Sequence, residues 1–184
     1  MIMKKIIPIF VMFVVLLAFA QPVKSQEEIQ GKALYAEFAG PGVILSLNFD
    51  SRFKAGEQFG FGYRIGVGFG VTNFADYINE DYYWNDEPTE YRSYYSIPVG
   101  LNYILGKPNS PHSFEVGAGA TFLTRKVSLY YYDVKTPGHV IGHLSLMYRR
   151  VTDGGFLFRA GFTPIIGTSG DLFPMPAVGI GYSF

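Results

Sequence analysis

Hydrophobic and polar positions alternate along most of this chain with a period of two, the spacing at which successive side chains of a β-strand face opposite ways. Near the end of the chain, Val178, Ile180, Tyr182 and Phe184 fall on one face, and Ala177, Gly179, Gly181 and Ser183 on the other. Phe59, Phe61, Tyr63, Ile65, Val67 and Phe69 alternate with Gly60, Gly62, Arg64, Gly66 and Gly68. Phe156, Phe158, Ala160 and Phe162 alternate with Leu157, Arg159, Gly161 and Thr163. Carried along the chain, the pattern predicts eight strands, over about 32–39, 42–52, 58–70, 91–104, 112–126, 138–150, 155–165 and 175–184. Short turns of the Gly, Pro, Asn and Asp kind are expected at 54–57, 106–111 and 152–154. At the other end come a tight Gly40-Pro41-Gly42 turn and longer connections over 71–90, 127–137 and 166–174. An even number of antiparallel strands, with short turns at one end and mostly longer loops at the other, is the pattern of a transmembrane β-barrel.

Alternation does not say which face points outward, but volume does. The interior of an eight-stranded barrel is only just wide enough for side chains to fill. The six large residues of the third strand, with Val43, Leu45, Leu47 and Phe49 and with Tyr95, Ile97, Val99, Leu101 and Tyr103, would overfill it. The bulky face is therefore expected outside, where an apolar belt is tolerable only in lipid, and a soluble barrel of the lipocalin kind is disfavoured. The inward face then carries Glu37, Asn48, Asp50, Arg52, Arg64, Asn102, Glu115, His143, Arg149 and Arg159. Charges in so narrow a lumen must pair and hydrogen-bond, so a polar, mostly plugged interior is expected. Pro98, in mid-strand, removes a ladder donor and predicts a bulge.

The N-terminus reads differently. Lys4 and Lys5 precede an uncharged apolar run from Ile6 to Ala20, which ends in Ala18-Phe19-Ala20. This is the make-up of a secretory signal peptide, and the run is short of the ~20 residues a membrane-spanning helix needs. The expected organisation is a signal peptide over 1–20 (cleavage possibly as late as 25), a short lead over 21–31 and a barrel over 32–184. Without Lys4, Lys5 and Lys24, twelve of the fifteen basic residues remain against fifteen acidic ones, a net charge near −3 from Gln26 onward. No nucleic-acid partner is expected of such a surface. There is no Cys, so disulfides cannot stabilise the exported chain. The 22 Gly, 17 Phe and 14 Tyr suit strands that are tightly packed inside and coated with rings outside.

The segment Ser96-Ile97-Pro98-Val99-Gly100-Leu101-Asn102-Tyr103 resembles a recurrent Ile-Pro-x-x-x-x-Tyr strand of the outer-membrane β-barrel domain family, the small OmpA- and OmpX-like barrels of the porin family. The ending Gly179-Ile180-Gly181-Tyr182-Ser183-Phe184 resembles that family's terminal strand. The resemblance covers the chain from about Lys32 onward. It implies the outer membrane of a Gram-negative bacterium, contact with membrane lipid and lipopolysaccharide, and a signal to the barrel-assembly machinery at Ile180, Tyr182 and Phe184. A monomer without cofactor or metal is expected. The peptidoglycan-binding domain of two-domain relatives is not expected, nor is a role in tethering the cell wall.

Candidate chemistry is sparse. His143-Leu144-Ser145 resembles the His-x-Ser pair of the outer-membrane lipid A deacylase, in which the imidazole would activate the hydroxyl. Both side chains fall on the inward face, however, and Leu157 stands where an acid would be needed, so two polar lumen residues are the plainer reading. The long loop holds Asp76, Glu80, Asp81, Asp86, Glu87 and Glu90 among Tyr77, Tyr82, Tyr83 and Trp84. Carboxylates could take divalent cations and exposed rings could anchor a partner, but a solvated surface loop is the ordinary expectation. Tyr91, Tyr94, Tyr95 and Tyr130 to Tyr132 at one end, and Tyr103 and Tyr148 at the other, suit two interfacial girdles. Gly66-x-Gly68-x-Gly70 lacks the following helix that a nucleotide loop requires. The chain thus reads as a non-enzymatic barrel with a structural or surface-interaction role. A narrow solute channel, or a lipid A-modifying enzyme using His143 and Ser145, is the alternative.

Overall fold

The computed structural model describes residues 31–74, 90–108, 110–125, 139–167, 170 and 172–184. The expected signal peptide, and the lead apart from Gly31, lie outside them. The strands are β1 (Lys32–Ala39), β2 (Leu45–Arg52), β3 (Gly60–Phe74), β4 (Glu90–Gly106), β5 (His112–Leu123), β6 (Val140–Val151), β7 (Phe156–Phe162), β8 (Ile165–Ile166), β9 (Leu172–Phe173) and β10 (Pro176–Ser183). Strands β1 to β7 pair antiparallel in sequence order, and β10 pairs with both β7 and β1, closing an eight-stranded barrel. Two-residue β8 continues the β7 register on β6 beyond Thr163-Pro164 and forms a small hairpin with β9.

The strand limits follow the alternation closely, with three corrections. Strands β3 and β4 run further than expected, because the ladder continues from Val71↔Ser93 to Phe74↔Glu90. Pro98 makes no bulge. Ile65↔Val99 and Gly68↔Ser96 keep one register, with pairs lapsing only at Gly66 and Val67, while Pro98 stays opposite Thr121 on β5. The missing donor is absorbed by that two-position lapse. Val43, expected on the outer face of a strand beginning at 42, is buried inside the barrel. Gly40–Gly42 forms a 3-10 turn that folds into the lumen, and β2 starts only at Leu45. Positive φ at Ala39 (59°), Gly40 (71°) and Val43 (77°) breaks the strand phase there. Gly40 has reason to be glycine: a Cβ would meet Glu37 Oε2 at 3.2 Å in a backbone region that other residues rarely adopt.

Away from the turn the faces are those expected. Phe61 is 66% exposed, Val67 62% and Ile65 49%, while Glu37 and Arg159 are fully buried. Cross-strand rings mark the belt's edges on β3 and β4. Phe61 and Tyr103 stack edge-on at 4.7 Å near the short turns, and Phe69 and Tyr95 lie 5.7 Å apart near the loops. Eight residues at ~3.4 Å each, on a strand tilted by ~40°, put these pairs ~21 Å apart in depth. That is close to the ~25 Å apolar band of a transmembrane barrel.

Ile65→Arg puts a cation in the middle of the belt. It should lower unfolding free energy in lipid vesicles by about 2–4 kcal/mol. Equilibrium urea titration checks this, and an unchanged midpoint would place Ile65 outside the hydrocarbon.

Candidate functional site

The lumen is the most chemically distinctive region, and it is built strand by strand from the inward phase. Glu37 comes from β1, Asp50 and Arg52 from β2, Arg64 from β3, Glu115 from β5, His143 and Arg149 from β6, and Arg159 from β7. All eight are buried. A glycine commonly stands opposite the larger inward side chains: Tyr35↔Gly181, Arg52↔Gly62, Asn102↔Gly117, His143↔Gly119, Met147↔Gly161 and Arg159↔Gly179. At Gly62, Gly117, Gly119, Gly161 and Gly181 a Cβ would crowd the opposite residue, whereas at Gly179 it would meet the Ala36 carbonyl and the Tyr35 ring.

The charges are joined in one network. Arg159 donates from Nη1 to Glu37 Oε1 at 2.8 Å and from Nη2 to Glu115 Oε1 at 2.7 Å, and its guanidinium lies 4.3 Å from the centre of the Tyr35 ring. Arg149 Nη1 reaches Asp50 Oδ2 at 3.2 Å and Glu115 Oε2 at 3.4 Å. Arg52 pairs with Asp50 and donates to Asn102 Oδ1 at 2.8 Å and to the Gly60 carbonyl at 2.9 Å. Asn102 in turn donates to Asp50 Oδ2 at 2.8 Å. Four arginines thus face three carboxylates. Hydrogen bonds to ionised partners are the stronger kind, and in this dry setting the groups depend on one another.

The fourth arginine leads away from the carboxylates. Arg64 Nη1 stands 3.7 Å from Glu37 Oε2, while Nη2 donates to Ser145 Oγ at 3.2 Å and His143 Nε2 at 3.3 Å. A guanidinium has no acceptor, so Nε2 must accept and the ring proton sits on Nδ1, which faces Thr121 Oγ1 at 3.3 Å. Thr121 donates onward to the Pro41 carbonyl at 2.8 Å, and Ser96 donates to the Gly42 carbonyl at 3.0 Å. The in-folded turn is therefore tied to the charged layer. Above that layer, Val43, Tyr94, Leu123, Ile141, Ile165 and Met175 form an apolar cap at the loop end; Ala33, Tyr35, Val151 and Leu157 cluster towards the short turns.

His143 and Ser145 share Arg64 as a partner, and the imidazole nitrogens face Arg64 and Thr121 instead of the serine. This is no nucleophile–base pair. Tyr94, expected in the girdle, is fully buried in the apolar cap, because it shares the phase of Ser96 and Asn102; Tyr95, next to it, is the outward ring. The same phase would have revealed Tyr35, Tyr94, Ser96 and Thr121 as lumen residues. Ile180, Tyr182 and Phe184 are exposed along the outer side of the chain's end. Asp76, Glu80, Asp81, Trp84, Asp86 and Glu87 of the long loop, and Tyr130 to Tyr132, lie outside the described residues.

Arg159→Met keeps the length of the side chain but leaves Glu37 and Glu115 without their shared cation. Breaking a buried pair in this way should cost about 3–5 kcal/mol, whereas Arg125→Met on the exposed surface should change stability by no more than about 0.5 kcal/mol. Urea unfolding of both variants in vesicles tests the contrast, and equal midpoints would mean that the network contributes little.

No protein-family model and no curated protein matches the chain. Among solved structures, it is similar to the Yersinia pestis outer membrane protein Ail in a phospholipid bilayer nanodisc, with a TM-score of 0.48 and 11% identity over 84% of this chain and 99% of that one. It is also similar to Ail of Yersinia pestis in complex with the heparin analogue sucrose octasulfate, with a TM-score of 0.42 and 14% identity over 84% of this chain and 94% of that one. At such scores and identities neither likeness speaks for this chain's ligands, and its barrel is established by its own strand pairing. Closed antiparallel strands, an apolar outer belt and a polar interior make it an eight-stranded β-barrel of the outer-membrane type.

Proposed function

We propose that the protein is a non-enzymatic, monomeric outer-membrane barrel that stabilises the cell envelope or presents a binding surface at its loop end. The observation that carries this reading is the filled lumen. Ion-paired side chains occupy its middle, and the turn at Gly40–Gly42 lies in its loop-side mouth beside an apolar cluster. A protein whose interior is spent on its own side chains acts through its ends and its outer surface. The eight charged or imidazole lumen residues then serve stability, and Ile180, Tyr182 and Phe184 serve recognition by the assembly machinery. The segment 75–89, with its acids and aromatic residues, is the surface offered to lipopolysaccharide or to a partner outside the cell.

Solute conduction and lipid A modification are the readings to separate from this one. In planar bilayers the purified barrel should give no steady conductance steps, and regular steps in the intact protein would reinstate a channel. Lipid A from cells making the protein, its Ser145→Ala variant or neither should have one acylation pattern by mass spectrometry. A change that depends on Ser145 would make it an enzyme.

A further inference from the structure

Among the described side chains on the outward faces of the barrel strands, only Lys32, His112 and Arg150 carry a charge or an imidazole. All three stand at the short-turn end: Lys32 opens β1, His112 opens β5, and Arg150 is the last residue but one of β6. His112 and Arg150 are direct cross-strand partners, a placement that brings their Cβ atoms within about 5.5 Å. Tyr148, two residues from Arg150 on the same face, has its hydroxyl 2.6 Å from His112 Nδ1. With the phenol donating to Nδ1, the imidazole keeps an N–H at Nε2 to offer elsewhere. Lys107 is exposed directly after Gly106, the β4 residue paired with Ser113 next to His112, and adds a second cation at this rim. Among the described residues no ion pair involves Arg150, His112 or Lys107. The neighbouring Arg149 points inward and is neutralised by Asp50 and Glu115.

Depth says what these groups meet. The His112↔Arg150 pair lies two residues beyond Phe114↔Tyr148 towards the turns. At ~3.4 Å per residue and ~40° of tilt, that is ~5 Å past the tyrosine girdle. This is the level of lipid headgroups, whose phosphates are anionic and accept hydrogen bonds. Guanidinium groups match phosphate oxygens in geometry and charge.

We propose that Arg150, His112 and Lys107, braced by Tyr148, form a binding site for the headgroup phosphate of a glycerophospholipid in the leaflet at the short-turn side. The site favours anionic headgroups over zwitterionic ones, because its two cations have no carboxylate opposite them. It rests on the membrane-barrel reading and adds a defined lipid contact to the outer surface.

Native mass spectrometry of the full barrel in detergent micelles, titrated with phosphatidylglycerol or phosphatidylcholine, tests the site. Phosphatidylglycerol should be retained about fivefold better or more, the effect expected of one Lys or Arg beside an anionic lipid surface. The preference should fall towards parity in Arg150→Gln and in a Lys107→Gln/His112→Ala double variant that leaves β6 untouched. It should persist in Arg125→Gln at the loop end and in millimolar inorganic phosphate. Equal retention of the two lipids by the intact protein would overturn the proposal. So would a preference that survives both variants, or displacement of the lipid by inorganic phosphate. Heat-modifiable gel mobility is read on each sample. Its loss in the intact protein would sink the barrel reading itself, an outcome distinct from a folded barrel that binds both lipids equally.

Discussion

The bore of an eight-stranded barrel is hardly wider than the side chains that fill it, so each large inward residue needs an empty place on the strand beside it. The chain meets this constraint with glycine. Gly62 lies between Arg52 and Asn102 on the two flanking strands, Gly179 between Glu37 and Arg159, and Gly119 beside His143. Glycine inside a strand weakens it through chain entropy and missing packing. Here the loss is offset at Gly62 and Gly119, where a Cβ would run into the Arg52 guanidinium and the His143 imidazole.

Once charged groups are chosen to fill the bore, their surroundings dictate the rest. Hydrocarbon outside and apolar clusters inside leave little water to solvate an unpaired ion, so the carboxylates of Glu37, Asp50 and Glu115 each take an arginine. The fourth cation, Arg64, is spread over Glu37, Ser145 and His143. Through Thr121 the same chain of donors reaches the Pro41 carbonyl. The turn at 40–42 and the charged layer therefore support one another. Positive φ at Ala39 and Val43 costs of order 1–3 kcal/mol each and persists only where the surroundings over-determine it. Burial of Val43 in the apolar cap and the hydrogen bonds to the turn's carbonyls supply that determination.

Much of this was legible in one dimension because a strand has only two faces. Placing Glu37 or Arg159 required nothing but parity, and the lumen-volume argument then decided which parity was inside. Parity failed wherever the backbone left the extended region. Val43 shares its parity with outward Leu45, yet the left-handed residues around Gly40 turned it inward. Nothing local in Gly40-Pro41-Gly42 distinguishes a turn lying over a strand end from one folded into the bore, because its anchors, Ser96 and Thr121, come from β4 and β5. Pro98 misled in the opposite direction. A lost donor suggests a bulge from local chemistry, but regular pairing with β5 on its other side holds the register. Tyr94 was a different matter, since its parity was readable and the aromatic-girdle expectation displaced it.

Arg149 and Arg150 show how far phase alone can separate two identical side chains. One step along β6 turns the first into the lumen, where Asp50 and Glu115 hold it, and the second out to the rim. Inside, an arginine must find its counter-ion within the chain, because lipid and packed side chains leave no other source. Outside, the same group is tolerable only where the apolar belt ends, and there the headgroups are the natural source of counter-charge. The outward cations among the described strand residues gather at the short-turn rim, whereas the middle of the belt carries Ile65, Val67 and Leu144. The outer surface thus makes two demands on the barrel's position along the membrane normal: rings and aliphatics favour hydrocarbon, and the proposed contact of Arg150 with headgroup phosphates would keep the short-turn rim at the interface.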